Sequence, residues 1–165
     1  MNPQVTAWVL PSTLPAPMQS ESDLQAIEQF FHEQIPLTRA MGVRVESYDG
    51  EQLVLTAPLD RNHNHLGTAF GGSLSVMATL AGYGLIWLEL GDRNCHLVIR
   101  DSSMNYHRPV RENIRAVCRR PEGELLTTFK GQFVKKGKAR IRLEVTIEEQ
   151  GQKAVDFFGT YVALR

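Results

Sequence analysis

Cysteine is scarce in this chain, and cationic residues are missing from its start. Cys95 and Cys118 are the only two cysteines, and they do not form a C-x-x-C pair. This favours a reducing, cytoplasmic setting over a disulfide framework. Residues 1–20 hold four of the eight prolines, no Lys or Arg and no sustained apolar run, which argues against a secretory signal. We therefore expect a poorly ordered arm at 1–21, followed by one domain at 22–165.

Net charge is absent too, since 18 Lys and Arg balance 18 Asp and Glu. A neutral chain gives no reason to expect a nucleic acid or a membrane surface as a partner. The basic residues are unevenly placed, however, because twelve of them lie between residues 100 and 142. That strip lacks the interleaved aromatic side chains on which nucleic-acid bases would stack. The surplus points instead to an anionic carrier of another kind.

Charged residues are also missing from one long internal stretch, from Asn62 to Leu88. Within it, 70–88 is long enough for five helical turns, but many Gly, Ser and Thr residues argue against a membrane span. One apolar stripe of this helix contains Phe70, Leu74, Met77, Ala78, Ala81, Leu85 and Leu88, and the other contains Val76, Leu80, Tyr83 and Trp87. Because one sheet cannot cover both stripes, we expect a second subunit to cover part of the helix.

The remaining pattern predicts a short helix and many strands. A helix is expected at about 23–35, stopped by Pro36, and two strands at 43–48 and 52–57 meet at Asp49-Gly50. After the long helix, period-two alternation predicts about five strands. These lie at 94–106, 113–120, 126–135, 140–148 and 153–163. The order indicates an α+β fold with an antiparallel sheet packed on a single helix.

Several common site types lack their required residues. His63, His65, His96 and His107 have no acidic neighbour at ligand spacing, so we expect no metal. The glycine-rich loop lacks the lysine of a nucleotide P-loop. Ser73 has neither a base nor the elbow motif that a serine nucleophile needs.

Residues 64–73, with the sequence NHLGTAFGGS, resemble the active-site loop and helix start of hotdog-fold acyl-thioesterases. With the later LAGYGLIWL, they look most like a bacterial group of thioesterase-like proteins that also occurs fused behind acetyltransferase domains. The resemblance covers about residues 22–165. It implies a curved antiparallel sheet wrapped around a long central helix, a dimer or dimer of dimers, and a site at the subunit interface. Acyl-CoA or acyl-carrier-protein thioesters are the implied substrates.

Two positions depart from the family pattern. Phe70 stands where the histidine of a His-Gly-Gly motif is common, and Thr79 stands where many relatives carry an acid on the helix. Relatives without that acid place it elsewhere or are not efficient hydrolases. The two departures therefore leave open which residue accepts the proton of the attacking water.

The start of the long helix supplies the chemistry that thioester hydrolysis needs. The N–H groups of Gly71 and Gly72 have no partner within the helix and lie at its positive dipole end, so they are the expected oxyanion donors. Glycines that only permit close packing are the alternative. Asn64 is expected to orient the water or the thioester, unless it is a plain turn former. The Thr79 hydroxyl contacts the water or bonds back to the preceding turn.

Asp101 is the best replacement for the missing acid, because it lies in a buried-looking strand and shares a face with Ser103 by period two. Pairing with an arginine such as Arg100 of a neighbouring chain is the alternative. Arg115 and Arg119 share a strand face and are expected to hold CoA phosphates, unless that face is simply solvated. The other residues expected to line the substrate are His65, Phe70, Ser73 and Ser103.

The sequence thus predicts a homo-oligomer that hydrolyses an acyl thioester without a metal or cofactor of its own. CoA or acyl-carrier protein enters only as part of the substrate. A non-catalytic acyl-CoA binding module is the main alternative, because of the two departures. A dehydratase or isomerase on the same fold is another, although it normally needs a helix-borne acid or a histidine.

Overall fold

The computed structural model describes residues 21–165, so the arm predicted at 1–21 lies almost entirely outside the described residues. The first helix, α1, spans Glu21–Gln34, close to the predicted 23–35. Pro36 does more than stop it, because Pro36 begins a second short helix, α2, at Pro36–Met41. The first position of a helix suits proline, since its missing N–H would have no intrahelical partner there.

Six antiparallel strands form a single sheet in the order β1-β2-β4-β5-β6-β3. The strands are β1 (Arg44–Tyr48), β2 (Gln52–Ala57), β3 (His96–Tyr106), β4 (Ile114–Arg119), β5 (Lys138–Glu149) and β6 (Gln152–Leu164). Their order leaves β1 and β3 at the two edges. The two strands predicted before the long helix are confirmed as a hairpin, with the turn at Gly50 in a left-handed conformation at φ 89°.

The long helix, α3, spans Gly71–Leu90 and packs on the middle strands of the sheet. It meets length and composition criteria for a membrane span, but 61% of that window is buried inside the fold. Its buried residues are Leu74, Met77, Ala78, Leu80, Ala81, Gly82, Gly84, Leu85, Ile86, Trp87 and Leu88. We call the sheet surface that packs on α3 the inner face and the opposite surface the outer face. A sheet packed on one long central helix is confirmed.

The second apolar stripe of α3 is covered in part by α1, which the sequence reasoning had not considered. Phe30 stacks on Tyr83 with ring centroids 6.1 Å apart, and Phe31 meets the same ring edge-on at 5.8 Å. Phe30 also lies 6.2 Å from the ring of Trp87, and Leu80 and Trp87 are buried. The part of α3 that stays open lies nearer its start and contains Gly72, Ser75, Val76 and Thr79.

The glycines inside α3 face bulky side chains rather than another backbone. A Cβ atom at Gly82 would overlap with the ring of Tyr161, and one at Gly84 would lie 2.6 Å from Cδ2 of Leu53. The hydroxyl of Tyr161 donates a hydrogen bond to the Thr79 carbonyl at 2.9 Å. Gly82 therefore lets β6 lie close to α3 and hold it in place.

The strand predicted at 126–135 is wrong, because this segment forms helix α4 at Leu125–Lys136. Its buried residues Leu126, Phe129 and Phe133 are spaced three and four apart, which is helical spacing. Gly137, in a left-handed conformation, ends the helix and leads into β5. Four strands rather than five therefore follow α3 within the described chain.

A bulge in the edge strand β3 reverses the faces of its later residues. The register with β6 shifts between Ile99 and Asp101. Beyond the shift, Ser102 lies opposite Gly159 and Met104 opposite Phe157, both on the inner side of β6. Asp101 and Ser103 therefore project from the outer face. The expectation that β3 is a buried strand is also wrong, since most of its residues are exposed.

Candidate active site

In the described part of the chain, three backbone N–H groups at the start of α3 donate to no acceptor. The first intrahelical bond runs from the Leu74 N–H to the Phe70 carbonyl at 3.0 Å, and the Phe70 side chain makes no cap. Within residues 21–165, the N–H groups of Gly71, Gly72 and Ser73 donate to no acceptor. They lie at the positive end of a 20-residue helix. This first turn can therefore accept an anionic or strongly polarised oxygen.

The loop before α3 is held together by the amide side chain of Asn64. Its Oδ1 accepts the N–H of Leu66 at 2.8 Å and that of Thr68 at 3.3 Å, and its Nδ2 donates to the Thr68 hydroxyl at 3.0 Å. These bonds favour the turn-forming alternative for Asn64. One Nδ2 hydrogen has no acceptor in the described chain and is the only part of the amide left to contact a ligand.

Asn62, which sequence reasoning did not single out, ties the same loop to the body of the protein. Its Nδ2 donates to the carbonyls of Met41 and Pro58, each at 2.8 Å. Its own carbonyl accepts the Phe70 N–H at 2.7 Å. Because Asn62 is buried, it fixes the position of Phe70 and hence the direction in which α3 begins. The sequence offered only an asparagine two residues ahead of the motif at 64–73, which does not distinguish Asn62 from Asn64.

The aromatic ring of Phe70 lies beside the free N–H groups at the start of α3. Its ring lies against the α-carbon of Gly72, where any Cβ atom would overlap with it, and it is 56% exposed. Tyr106, at the end of β3, donates its hydroxyl to the Gly71 carbonyl at 3.2 Å. His65 is exposed in the loop, and Ser73 is half-buried in the first turn. Gly72 thus has a packing reason to be glycine, in addition to leaving its N–H accessible.

Thr79 presents a hydroxyl on the open side of α3. The alternative in which this hydroxyl bonds back to the preceding turn is wrong, because Thr79 Oγ1 makes no hydrogen bond within the described range 21–165. Ser75, one turn earlier on the same side, is likewise half-buried with an unbonded hydroxyl there. Gly72, Ser75 and Thr79 therefore follow one another along a strip that the chain's own sheet leaves uncovered.

Asp101 does not lie with these groups. Thr160 donates its hydroxyl to Asp101 Oδ1 at 2.9 Å, and Arg142 lies 3.5 Å from the same oxygen. Arg100 of the same chain is 3.8 Å from Oδ2. The sheet thus separates Asp101 and Ser103 from α3 within one chain. Ser102 is the hydroxyl of β3 that projects to the inner face, and only the bulge reveals this.

Arg115 and Arg119 share the outer face, as period two predicts, but they are occupied by carboxylates. Glu148 lies 3.5 Å from Arg115 and 3.7 Å from Arg119, and Arg115 also lies 3.5 Å from Glu46. These pairs favour the alternative of a solvated strand face. The two arginines are therefore not brought to the first turn of α3.

A second polar cluster lies on the outer face, where β3, β5 and β6 meet. His107 Nε2 is 2.7 Å from Asp156 Oδ2, and Lys153 is 2.6 Å from Oδ1. The hydrogen bond from Lys153, followed by that from His107, holds the pKa of Asp156 below its ordinary value. Among residues 21–165, no group of three or more His, Cys, Asp or Glu side chains could hold a metal ion.

The structure therefore brings together only part of the predicted set. Gly71, Gly72, Ser73 and Phe70 form the first turn, with Thr79 farther along the same helix. Such an arrangement can bind a carbonyl oxygen and position a polar molecule beside it. No carboxylate is hydrogen-bonded to the loop 62–70 or to the first turn of α3 in the described part of the chain.

Comparison with known proteins places this geometry in a family. A family model described as "Putative thioesterase (yiiD_Cterm)" matches residues 24–165. A protein of unknown function from Chlorobaculum tepidum TLS is 38% identical with a TM-score of 0.84, and the match covers 90% of this chain and 98% of that chain. A protein from Shewanella oneidensis described as a putative thioesterase is 29% identical with a TM-score of 0.79, covering 88% and 100%.

More distant structures extend the likeness of fold. A probable thioesterase from Pseudomonas aeruginosa is 21% identical with a TM-score of 0.73, and the match covers 85% of this chain and 94% of that chain. The chain therefore belongs to the family described as putative thioesterases, and its antiparallel sheet on one long helix is the hotdog fold that the sequence resemblance implied.

Proposed function

We propose that the protein hydrolyses an acyl thioester, carried by CoA or acyl-carrier protein, at the first turn of α3. The single observation that carries this proposal is the set of unused N–H groups of Gly71, Gly72 and Ser73, which no part of the described chain satisfies. A thioester carbonyl is an acceptor whose charge grows in the transition state. Amides already in place therefore stabilise the transition state more than the substrate.

The reaction needs little more than these donors and a positioned water. The water oxygen adds to the carbonyl carbon, the carbon–sulfur bond breaks, and the water's proton ends on the departing thiolate. A thiol has an ordinary pKa of about 8.5, so the thiolate leaves without a strong general acid. The unbonded hydroxyl of Thr79 is the group that we propose to hold the water, with the remaining Nδ2 hydrogen of Asn64 contributing from the loop.

A hydroxyl orients water but does not accept its proton at neutral pH. Asp101, which the sequence favours as the base, is separated from α3 by the chain's own sheet. It can serve only if a second copy carries its own Asp101 to the site. The proposal is therefore catalysis mainly by polarisation and positioning, which predicts a modest turnover rate.

We also propose a homo-oligomer built on the edge strand β3, which would complete this site. That strand has one unpaired side, and Val98, Ile99 and Tyr106 on it are exposed apolar or aromatic residues. Phe70 and the open strip of α3 lie on the same side of the molecule, because Tyr106 contacts Gly71. A second copy paired on β3 would cover this surface and exclude water from the first turn of α3.

The experiment is a panel of acyl-CoA and acyl-carrier-protein thioesters of increasing chain length, with release of free thiol followed continuously. Turnover above the buffer rate with at least one thioester supports the proposal. Mass spectrometry of what co-purifies with the protein narrows the choice of acyl group. Tight binding of the whole panel with no thiol released contradicts the proposal.

A non-catalytic acyl-CoA binding module is the second candidate. It is favoured by the lack of any carboxylate hydrogen-bonded to loop 62–70 or to the first turn of α3 in the part of the chain that is described. The same amides would then bind the carbonyl without a route for proton transfer. Thiol release distinguishes the two functions directly.

A further inference from the structure

A strongly basic cavity lies on the outer face of the sheet, at the end opposite the first turn of α3. Its volume is about 450 Å³, and it lies where α4 leads into β5. The residues that line it are Arg100, Gln132, Lys136, Lys138, Ala139, Arg140 and Val162. Four of them are cationic, and none is acidic.

The charges around this cavity are largely unbalanced. Within residues 21–165, Lys136, Lys138 and Arg140 have no ion pair, and Arg100 has only a 3.8 Å contact with Asp101. Elsewhere on the same face, cations are matched with acids, as Arg115 and Arg119 are with Glu148. Like charges held around one concavity repel each other, so their clustering calls for an anion.

Stabilisation of the fold explains only one of these cations. Lys136 lies in the last turn of α4, where a positive charge interacts favourably with the helix dipole. Lys138 and Arg140 project from β5, and Arg100 lies at the bulge of β3, so no helix end accounts for them. Most of the cluster therefore has no structural reason to be basic.

We propose that this cavity binds the phosphate groups in the nucleotide part of CoA. The size is that of a small-molecule site, whereas the acidic helix of a carrier protein would need an extended open surface. The arginine side chains match phosphate with paired hydrogen bonds, and the lysines add point charges. Val162 provides an apolar surface on which a base can lie. This inference rests on the proposed function, and it chooses CoA over the carrier protein.

In a dimer paired on β3, the location of the cavity would allow one substrate to contact both copies. The cavity lies toward the end of the sheet where α3 finishes, and the 20 residues of α3 span about 30 Å. Antiparallel pairing of two β3 strands would lay the beginning of one strand beside the end of the other. The cavity of one copy would then lie at the same end of the joined sheet as the first turn of α3 in the second copy, and the flexible arm of CoA would pass the joined edge from the outer face to reach the thioester site.

Calorimetric titration of the full-length protein with CoA tests the proposal without any turnover. The double variant Lys138→Gln/Arg140→Gln should weaken CoA binding about tenfold or more, because two charge-assisted contacts are lost. Binding to the parent should also weaken as salt rises. Lys135→Gln is the control for a single charge: it removes one positive charge next to Lys136, outside the cavity lining, and should change the affinity less than twofold.

The outcomes separate this inference from the proposed function. The proposal is overturned if the double variant binds CoA like the parent, if Lys135→Gln weakens binding equally, or if the parent does not bind CoA. Adenosine 3′,5′-bisphosphate, which has no thioester, should show the same ranking of variants. If that ranking holds but no thiol is released from acyl-CoA, the hydrolase proposal fails and the nucleotide site stands. Matching thermal unfolding midpoints ensure that the variants are compared as folded proteins.

Discussion

At the scale of single residues, the two groups considered for the attacking water lie on opposite sides of the sheet. Thr79 would hold the water, and Asp101 would accept its proton. The Thr79 hydroxyl is unbonded on the open strip of α3, whereas Asp101 is engaged by Thr160 and Arg142 on the outer face. A threonine in the place of the common helix acid would keep a group that holds water but lose the one that takes its proton. This difference can be measured in the kinetics of single variants.

Thr79→Val should lower kcat by about tenfold to a hundredfold with little change in KM, because it removes an interaction that positions the water rather than one that binds substrate. Thr79→Ser, which keeps the hydroxyl, should recover most of the loss. Steady-state thiol release from the best acyl-CoA substrate provides both values.

Asp101→Asn provides the comparison for that prediction. We expect a smaller loss of kcat than for Thr79→Val, since Asp101 is paired on the far side of the sheet. If Asp101→Asn causes the larger loss, the water is activated by a carboxylate from a second copy, and the assignment to Thr79 is incorrect.

How far the sequence could predict the site depended on local backbone geometry. The helix start at Gly71-Gly72 was predictable because glycines and an uncharged run are visible in the letters alone. The faces of Asp101 and Ser103 were not, because a single inserted residue at the bulge exchanges inner and outer positions. The ion pairs of Arg115 and Arg119 depend on Glu148, from a strand that comes later in the chain.

At the scale of elements, α4 shows why periodicity alone can mislead. The segment contains two threonines, a valine and two phenylalanines, which favour strands, while its buried positions follow helical spacing. Tertiary contacts decide between the two. Lys130 of α4 lies 2.6 Å from Glu89, which also accepts the Tyr48 hydroxyl at 2.7 Å, so α4 is attached to the end of α3.

Two glycine substitutions test the packing of α3 against the sheet. Gly82→Ala should lower the free energy of unfolding by about 1–3 kcal/mol, because the added methyl group overlaps with Tyr161. Gly131→Ala, in α4, should instead raise it by about 0.5–1 kcal/mol, since no atom lies within 4 Å of the new methyl group. Urea unfolding of both variants checks the pair. Equal effects of the two substitutions would mean that Tyr161 does not restrict this part of α3.

At the scale of the whole molecule, the exposed edge of β3 and the open strip of α3 form one surface that a single chain leaves uncovered. Monomeric proteins usually protect an edge strand with charges or a covering loop. Here Val98, Ile99 and Tyr106 are exposed on β3, and Phe70 is exposed beside them. The sequence predicted an incompletely covered helix, but it could not show that α1 covers one end of it and leaves the other open.

Sedimentation velocity tests whether this surface pairs two copies of the chain, because it measures the size of the assembly. The parent protein should sediment as a dimer or larger assembly at micromolar concentration, and Ile99→Lys should shift it toward the monomer because a charge at the edge opposes strand pairing. Val134→Lys is the control, since Val134 is exposed on α4 rather than on β3. A parent chain that sediments only as an 18.6 kDa monomer would contradict the shared site.

The most direct test of the central claim is to observe the amides of Gly71 and Gly72 while an acyl group binds. An acyl-CoA analogue with a methylene in place of the sulfur keeps the carbonyl but cannot be hydrolysed. In nitrogen-15 NMR spectra, titration with this analogue should shift the Gly71 and Gly72 amide proton signals downfield until saturation, as N–H groups gain an acceptor. The Gly50 signal, from the β1–β2 turn at the edge of the sheet opposite β3, should not move. Saturable binding of the analogue with the Gly71 and Gly72 signals unchanged would show that the carbonyl binds elsewhere.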